Sequence, residues 1–249
     1  MFTKIGVLLR VAWAEVLVYR AEAIIWVLTG LLPLVMLAVW RTLAGDGNIA
    51  GYSGDDFVAY FVGALAIRQL TGVWVIWDIE REVRMGELSP HLLRPLHPLL
   101  RYFVWALSDK PLRVALVAPM VAIALLLAPG ALPQPGGLSL ALLPLAIVLG
   151  FGVYFCMQCC IGLLSFWFTQ VLALHDFWFG LYALASGYVV PLDLFPPAVT
   201  QVLVLLPFRA LLGFPLDLLL GKLAPTEIAT GFVLQLFWLV VFFWLMSWL

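Results

Sequence analysis

Three histidines, three cysteines and one arginine inside an apolar run are the residues of this chain with chemistry to offer. Cys156, Cys159 and Cys160 stand in "CMQCC" at i, i+3 and i+4, on one face of a helix, where thiolates can meet a soft metal. With no histidine or carboxylate close by in sequence, the spacing reads better as three small buried hydrophobes. His91, His97 and His175 fall at the edges of apolar runs and read as solvated surface. H-E-x-x-H and G-x-S-x-G are absent, and the string nearest to a phosphate-binding loop, "GFPLDLLLGKL", has the wrong spacing and lacks the hydroxyl. No catalytic residue, metal ligand or cofactor is therefore expected on this chain. If ATP powers it, another chain binds the nucleotide.

Arg68 is the sharpest single residue. It falls halfway along an apolar stretch, about 16 Å from either end at the helical rise, where a cation is costly and faces a partner or a wet cavity. Asp78 and Glu80 are nearly three turns away. Arg68 is thus expected either to pair with another helix or a second protomer, or to line a pathway.

The elements that position these residues are membrane helices. The chain of 249 residues is 65% hydrophobic and 11% charged, with a mean hydropathy of +1.10, a composition outside that of soluble domains. A net charge of -1 leaves no basic footprint for nucleic acid. A bilayer-crossing helix needs about 20 apolar residues. Six stretches qualify, roughly Ala23 to Leu43, Phe57 to Trp77, Tyr102 to Leu127, Leu138 to Phe168, Phe177 to Leu194 and Ile228 to Leu249. No repeat or linker divides them, so the expectation is a single membrane domain over 1–249.

Lys and Arg set the orientation. Lys4, Arg10 and Arg20 precede the first stretch, and Arg81, Arg84, Arg94, Arg101, Lys110 and Arg113 surround the second connection, whereas "GDGNIAGYSGDD" and "PGALPQPGG" carry none. Both termini are expected in the cytoplasm. Arg10 and Glu15 interrupt what would be a signal-peptide core, so residues 1–20 are expected to stay as an amphipathic helix on the cytoplasmic surface, or else to extend the first span inward. Trp74, Trp77, Trp105 and Trp248 sit where interfacial aromatics belong.

Between Pro191 and Pro225, proline recurs every several residues in an otherwise apolar text, which rules out one continuous span. Two short helices, Pro197 to Leu206 and Phe208 to Leu220, are expected there. They either dip into the outer leaflet over 195–225 and return under cover of protein or a cavity, or form a plain interfacial hairpin.

The stretch "GELSPHLLRPLHPLLR", Gly86 to Arg101, sits between two apolar runs. Ser89 can cap a helix that begins at Pro90, "HLLR" gives it one turn, and Pro95 ends it. Leu88, Leu92 and Leu93 make an apolar face, and Glu87, His91 and Arg94 add charge. The segment has the design of a protein-docking knob.

Together with "YRAEAIIWVL" before the first span and "LDLFPPAVTQVLVLLPF" after the fifth, this phrase makes the chain resemble permease subunits of the ABC-2 type exporter superfamily. It is most similar to the small permeases of bacterial three-gene export systems. The resemblance covers nearly the full length. It implies an all-α integral membrane protein with an interfacial N-terminal helix, six spans and re-entrant helices before the last. It further implies a cytoplasmic coupling helix made by Glu87, Leu88, Ser89, Pro90, His91, Leu92, Leu93 and Arg94. That helix docks into a separate ABC ATPase carrying ATP and Mg, with "IEREVRMGE" supporting the contact. A second permease completes the pathway in the bacterial inner membrane, the resemblance favouring a non-identical one over a second copy of this chain.

Two other classes stay open from the residues alone. A channel or ion-coupled carrier would use Arg68 and the broken helices after Pro191, although coupling carboxylates and histidines are scarce in the spans. A membrane scaffold would need only the docking knob.

Overall fold

The computed structural model describes residues 2–18, 25, 31–45, 47–94 and 96–249. Among these residues every named element is helical. Four helices are long and apolar enough to cross a membrane: Gly54–Arg84, Pro98–Leu127, Gly137–Phe166 and Pro225–Trp248. Two shorter apolar helices, Leu32–Ala44 and Val171–Ala185, accompany them.

Helix α1 (Phe2–Val18) packs along α6 (Pro98–Ser108); the residues that would join it to the first span lie outside the described ones. The expected first span is described only from 31 onward apart from Ile25, as α2 (Leu32–Ala44). Its first part, and most of "YRAEAIIWVL", lie outside the described residues. The turn that follows closes on a bridge between Ile49 and Tyr52.

Helix α3 (Gly54–Thr71) begins in a reciprocal cap: Ser53 Oγ accepts from the Asp56 amide at 3.3 Å, and Asp56 Oδ2 accepts from the Ser53 amide at 2.8 Å. Phe57, Val58, Ala59 and Tyr60, four consecutive residues that together point all round the helix, are all buried, as expected of a helix enclosed by neighbours on all sides. Those neighbours are α2, α7 (Lys110–Leu127), α8 (Gly137–Leu163) and α12 (Gly213–Leu219). In a bilayer the helices gain little from leaving lipid, so such contacts hold the bundle through close packing and interhelical hydrogen bonds.

The second span is not the continuous helix expected from Phe57 to Trp77. It breaks over Gly72–Trp74 and resumes as α4 (Val75–Arg84), with Ile76 and Ile79 turned inward. At the break Trp74 lies against the Arg68 guanidinium at 5.1 Å. Exposed aromatics occur at the same end of the bundle, where Phe166, Trp167 and Phe168 follow α8. The third span consists of two helices, α6 passing into α7 through Asp109. Helix α8 has 27 residues, about 40 Å, and exceeds the ~30 Å hydrocarbon core as its apolar run implied.

Helix α9 (Val171–Ala185) starts earlier than the expected Phe177, and it ends well before Leu194 because Gly187 takes φ +87°. Tyr60 donates to its carbonyl at 2.8 Å, and a Cβ there would meet that phenol oxygen at 2.4 Å. The proline-rich segment is three short helices rather than two: α10 (Pro197–Leu205), α11 (Pro207–Leu211) and α12. The expected second helix is split at Leu212, whose backbone leaves the helical region at φ -136° and ψ -56°. Helix α13 (Pro225–Trp248) packs along α8 in the same direction, from Gln235 beside Ala146 to Phe242 beside Cys160. There Gln235 donates to the carbonyls of Ala146 at 3.0 Å and Ala210 at 2.8 Å, tying α13 to α8 and α11 at once.

Candidate functional site: a stapled knob and a caged arginine

The knob is built from its base upward. On α4, Ile79, Glu82 and Val83 share a face, which carries the Glu82 carboxylate inward to 3% exposure. Arg101, from the first turn of α6, donates to it at 2.6 Å, and Tyr102 O–H donates to its other oxygen at 2.6 Å. Arg101 in turn lies over the rings of Tyr102 at 4.6 Å and Trp105 at 5.3 Å. The two helices that flank the connection are thus locked at its root.

Above that root the chain turns on Gly86 at φ +74°, and the Leu88 amide donates back to the Glu82 carbonyl at 3.1 Å. One helical turn, α5 (Ser89–Leu92), follows. Ser89 does not cap it, because Ser89 is already helical, Leu88 occupies the cap position, and no side-chain capping bond forms. Pro90 sits in the first turn as expected, and Pro95 lies outside the described residues. His97 caps α6, its Nδ1 accepting from the Leu99 amide at 3.2 Å. Leu92 and Leu93 stand 63% and 89% exposed. Glu87 and Arg94 are exposed too, and Glu87 is only loosely held by Arg81 at 3.8 Å. His91 is partly buried, and that burial, followed by the charge of Arg101, holds its imidazole below the usual histidine range.

Arg68, on the last turn of α3, is 4% exposed. Five rings surround its guanidinium: Trp74, Tyr154, Tyr182, Tyr188 and Phe179, with centroids between 5.1 and 6.0 Å away. No carboxylate among the described residues forms an ion pair with it. Desolvated cation–π contacts are worth up to about 2 kcal/mol each, so the rings of α8, α9 and the following turn do the work an acid would otherwise do. The residue is enclosed by its own chain. Gly72 makes the fit possible: a Cβ there would stand 2.1 Å from Arg68 Nη1.

The break at Gly72 leaves backbone groups without helical partners at membrane depth, where each must be satisfied. Lys110 Nζ donates to the Gly72 carbonyl, while the Gly72 amide makes the last helical bond of α3, to the Arg68 carbonyl at 2.9 Å. Arg113 Nε pairs with Asp109 at 2.6 Å, and Lys110 Nζ lies 3.4 Å from the other oxygen of that carboxylate. A family model described as an ABC-2 family transporter protein matches residues 24–249.

The chain belongs to the ABC-2 transporter family.

Membership makes the protein a multi-pass permease, a transport component of the membrane of the kind that associates with an ABC ATPase. No curated protein matches it. At the end of the permease opposite the knob, Tyr52 donates to Asp193 at 2.6 Å and Lys222 to the same oxygen at 3.0 Å, while Arg209 pairs with Asp217 at 2.8 Å. Asp193 therefore ties the turn after α2 to the proline-rich segment, Asp217 ties α12 to α11, and neither pairs with Arg68. The three cysteines are buried in the packed half of α8, and Cys160 donates to the Phe242 carbonyl at 3.4 Å.

Glu82, Tyr102, Lys110 and Gly72 escaped sequence reasoning. Glu82 had a signal, a carboxylate three residues after Ile79 and beside Val83 on the apolar face of "IEREVR". Lys110 had none, since its partner is a backbone carbonyl 38 residues earlier.

Proposed function

We propose that this permease is the membrane half of an ATP-driven exporter. The residues from Glu87 to Arg94 dock into a groove of a separate ABC ATPase, which carries ATP and Mg. The observation that carries the reading is the pairing of an exposed leucine tip, Leu92 and Leu93, with a buried ionic root, Glu82 and Arg101. An apolar tip held in water by a rigid stem is suited to a protein partner. The root joins α4 to α6, so a push at the tip moves both membrane helices rather than bending a loop.

In this reading the six apolar stretches each cross the bilayer, both termini face the cytoplasm of a bacterial inner membrane, and α1 lies along its surface. The helices α10 to α12 are re-entrant from the far side. A second permease, a non-identical one, supplies the other wall of the pathway. Arg68 acts as a fulcrum inside one protomer, where α3, α8 and α9 converge.

Substitution at the tip tests the reading. Leu93→Asp should abolish recovery of the ATPase with the purified permease while leaving permease folding unchanged. Undiminished recovery would overturn the docking assignment.

A further inference from the structure

A cavity of about 500 Å³ lies between α1, the break that separates α3 from α4, and the junction of α6 with α7. Its lining is organised by charge. One pole holds Lys110 and Arg113, each 7% exposed, with Asp109 as their shared carboxylate and Arg68 close behind the wall. The other pole holds Asp78 of α4 and Glu15 of α1, which lie in each other's field. Arg81 reaches Asp78 at 3.4 Å, but its side chain is more than half exposed. Trp74, Tyr102 and Trp105 line the cavity as well.

Such a cavity suits a ligand that is itself dipolar. Buried lysine and arginine donors recognise a phosphate oxygen, while carboxylates flanked by aromatic rings recognise an ammonium. The volume falls in the range of small-molecule sites and is too small for acyl chains. The rest of its wall is apolar, made by Ala12, Val16, Val73, Val75 and Ala106. We propose that this cavity binds a zwitterionic phosphate–ammonium headgroup, presented by an amphiphile in the leaflet on the knob side. The cavity lies beside both α4 and α6, the helices that the knob moves. Its use as a loading site for export rests on the exporter reading; the binding itself does not.

The test is native mass spectrometry of the full-length permease, taken from nanodiscs containing equal amounts of phosphatidylethanolamine and phosphatidylglycerol with matched chains. The ethanolamine lipid should be retained about tenfold over the glycerol lipid, the ratio that one good charge-assisted contact supplies. The double substitution Glu15→Gln, Asp78→Asn should bring that ratio to the bulk value without lowering retention of the glycerol lipid. Should this variant fail to fold, Trp105→Ala reads the same preference from the ring side. Adding soluble O-phosphoethanolamine distinguishes the sources of the chemistry: displacement of the lipid by it assigns the site to a free zwitterion, and failure to displace assigns it to the lipid. Equal retention of both lipids by the unsubstituted permease, or an unchanged preference in the folded variants, would overturn the proposal. No ATPase enters this measurement, so its outcome is independent of whether the knob docks one.

Discussion

Arg101 on α6 donates to Glu82 on α4 at 2.6 Å, across nineteen residues of chain that leave the bundle and return. Both side chains are largely buried, at 12% and 4% exposure. Removing one partner of a buried pair strands the other, at a cost of roughly 3–5 kcal/mol. Glu82→Ala should therefore lower the melting temperature of the purified permease clearly. Glu82→Gln still accepts from Tyr102 and should lose less stability, yet it should weaken stimulation of the ATPase by loosening the root of the knob. Stimulation at the full level in folded Glu82→Gln would show that the root plays no part in coupling.

Leu93 is the opposite case. At 89% exposure it contributes almost nothing to the fold, so Leu93→Asp should leave thermal unfolding within experimental error. Its effect should fall on partner binding alone, read as ATPase recovered per permease.

Gly72→Ala adds a single methyl group where Arg68 Nη1 would stand 2.1 Å away. The guanidinium must then leave part of its cage, and overpacking of this kind costs about 1–3 kcal/mol. Arg68→Lys should be destabilising for a different reason: an ammonium lacks the planar faces that the surrounding rings cover. Because Arg68 is enclosed by its own chain, crosslinking between permeases should be unchanged in folded Arg68→Lys. A selective loss of that crosslinking would move Arg68 to the protomer interface.

How much of this was legible in the sequence depends on the range of the interaction. The short helical turn between α4 and α6 was, because Pro90, Pro95 and Pro98 punctuate it locally, although Ser89, read as its cap, lies inside the turn. The long apolar helices were, because their length against the bilayer is a local property. The cage was not. Tyr154, Tyr182 and Tyr188 stand 86 to 120 residues after Arg68, in runs where aromatics are ordinary, and only the crossing of α3, α8 and α9 brings them to one guanidinium. The break at Gly72 was hidden likewise, since a glycine in an apolar span is tolerated until a lysine from another helix takes its carbonyl. The division of the proline-rich segment into three helices turns on the backbone of Leu212, which no proline marks.

Asp193 gives a pH dependence. Partial burial raises its carboxyl, but the hydrogen bond from Tyr52 and the charge of Lys222 outweigh burial and hold it below the usual range. A carboxyl depressed on folding stabilises the protein above its unfolded value, about 3.9, and that contribution is lost as pH falls through the folded value. Asp193→Asn should thus lower the melting temperature at neutral pH, and the gap from the unsubstituted protein should close below about pH 4. A gap that persists in acid would mean that the brace is not ionic.

The central claim is that the leucine tip of the knob meets an ATPase. The most direct measurement places a photo-crosslinking amino acid at position 93 in the permease within its native membrane and identifies the crosslinked product by mass spectrometry. The account predicts one dominant product, an ABC ATPase, absent when the crosslinker is moved to Val240, an exposed position on α13. Crosslinks to lipid alone at position 93, with the ATPase present in the same cells, would contradict it.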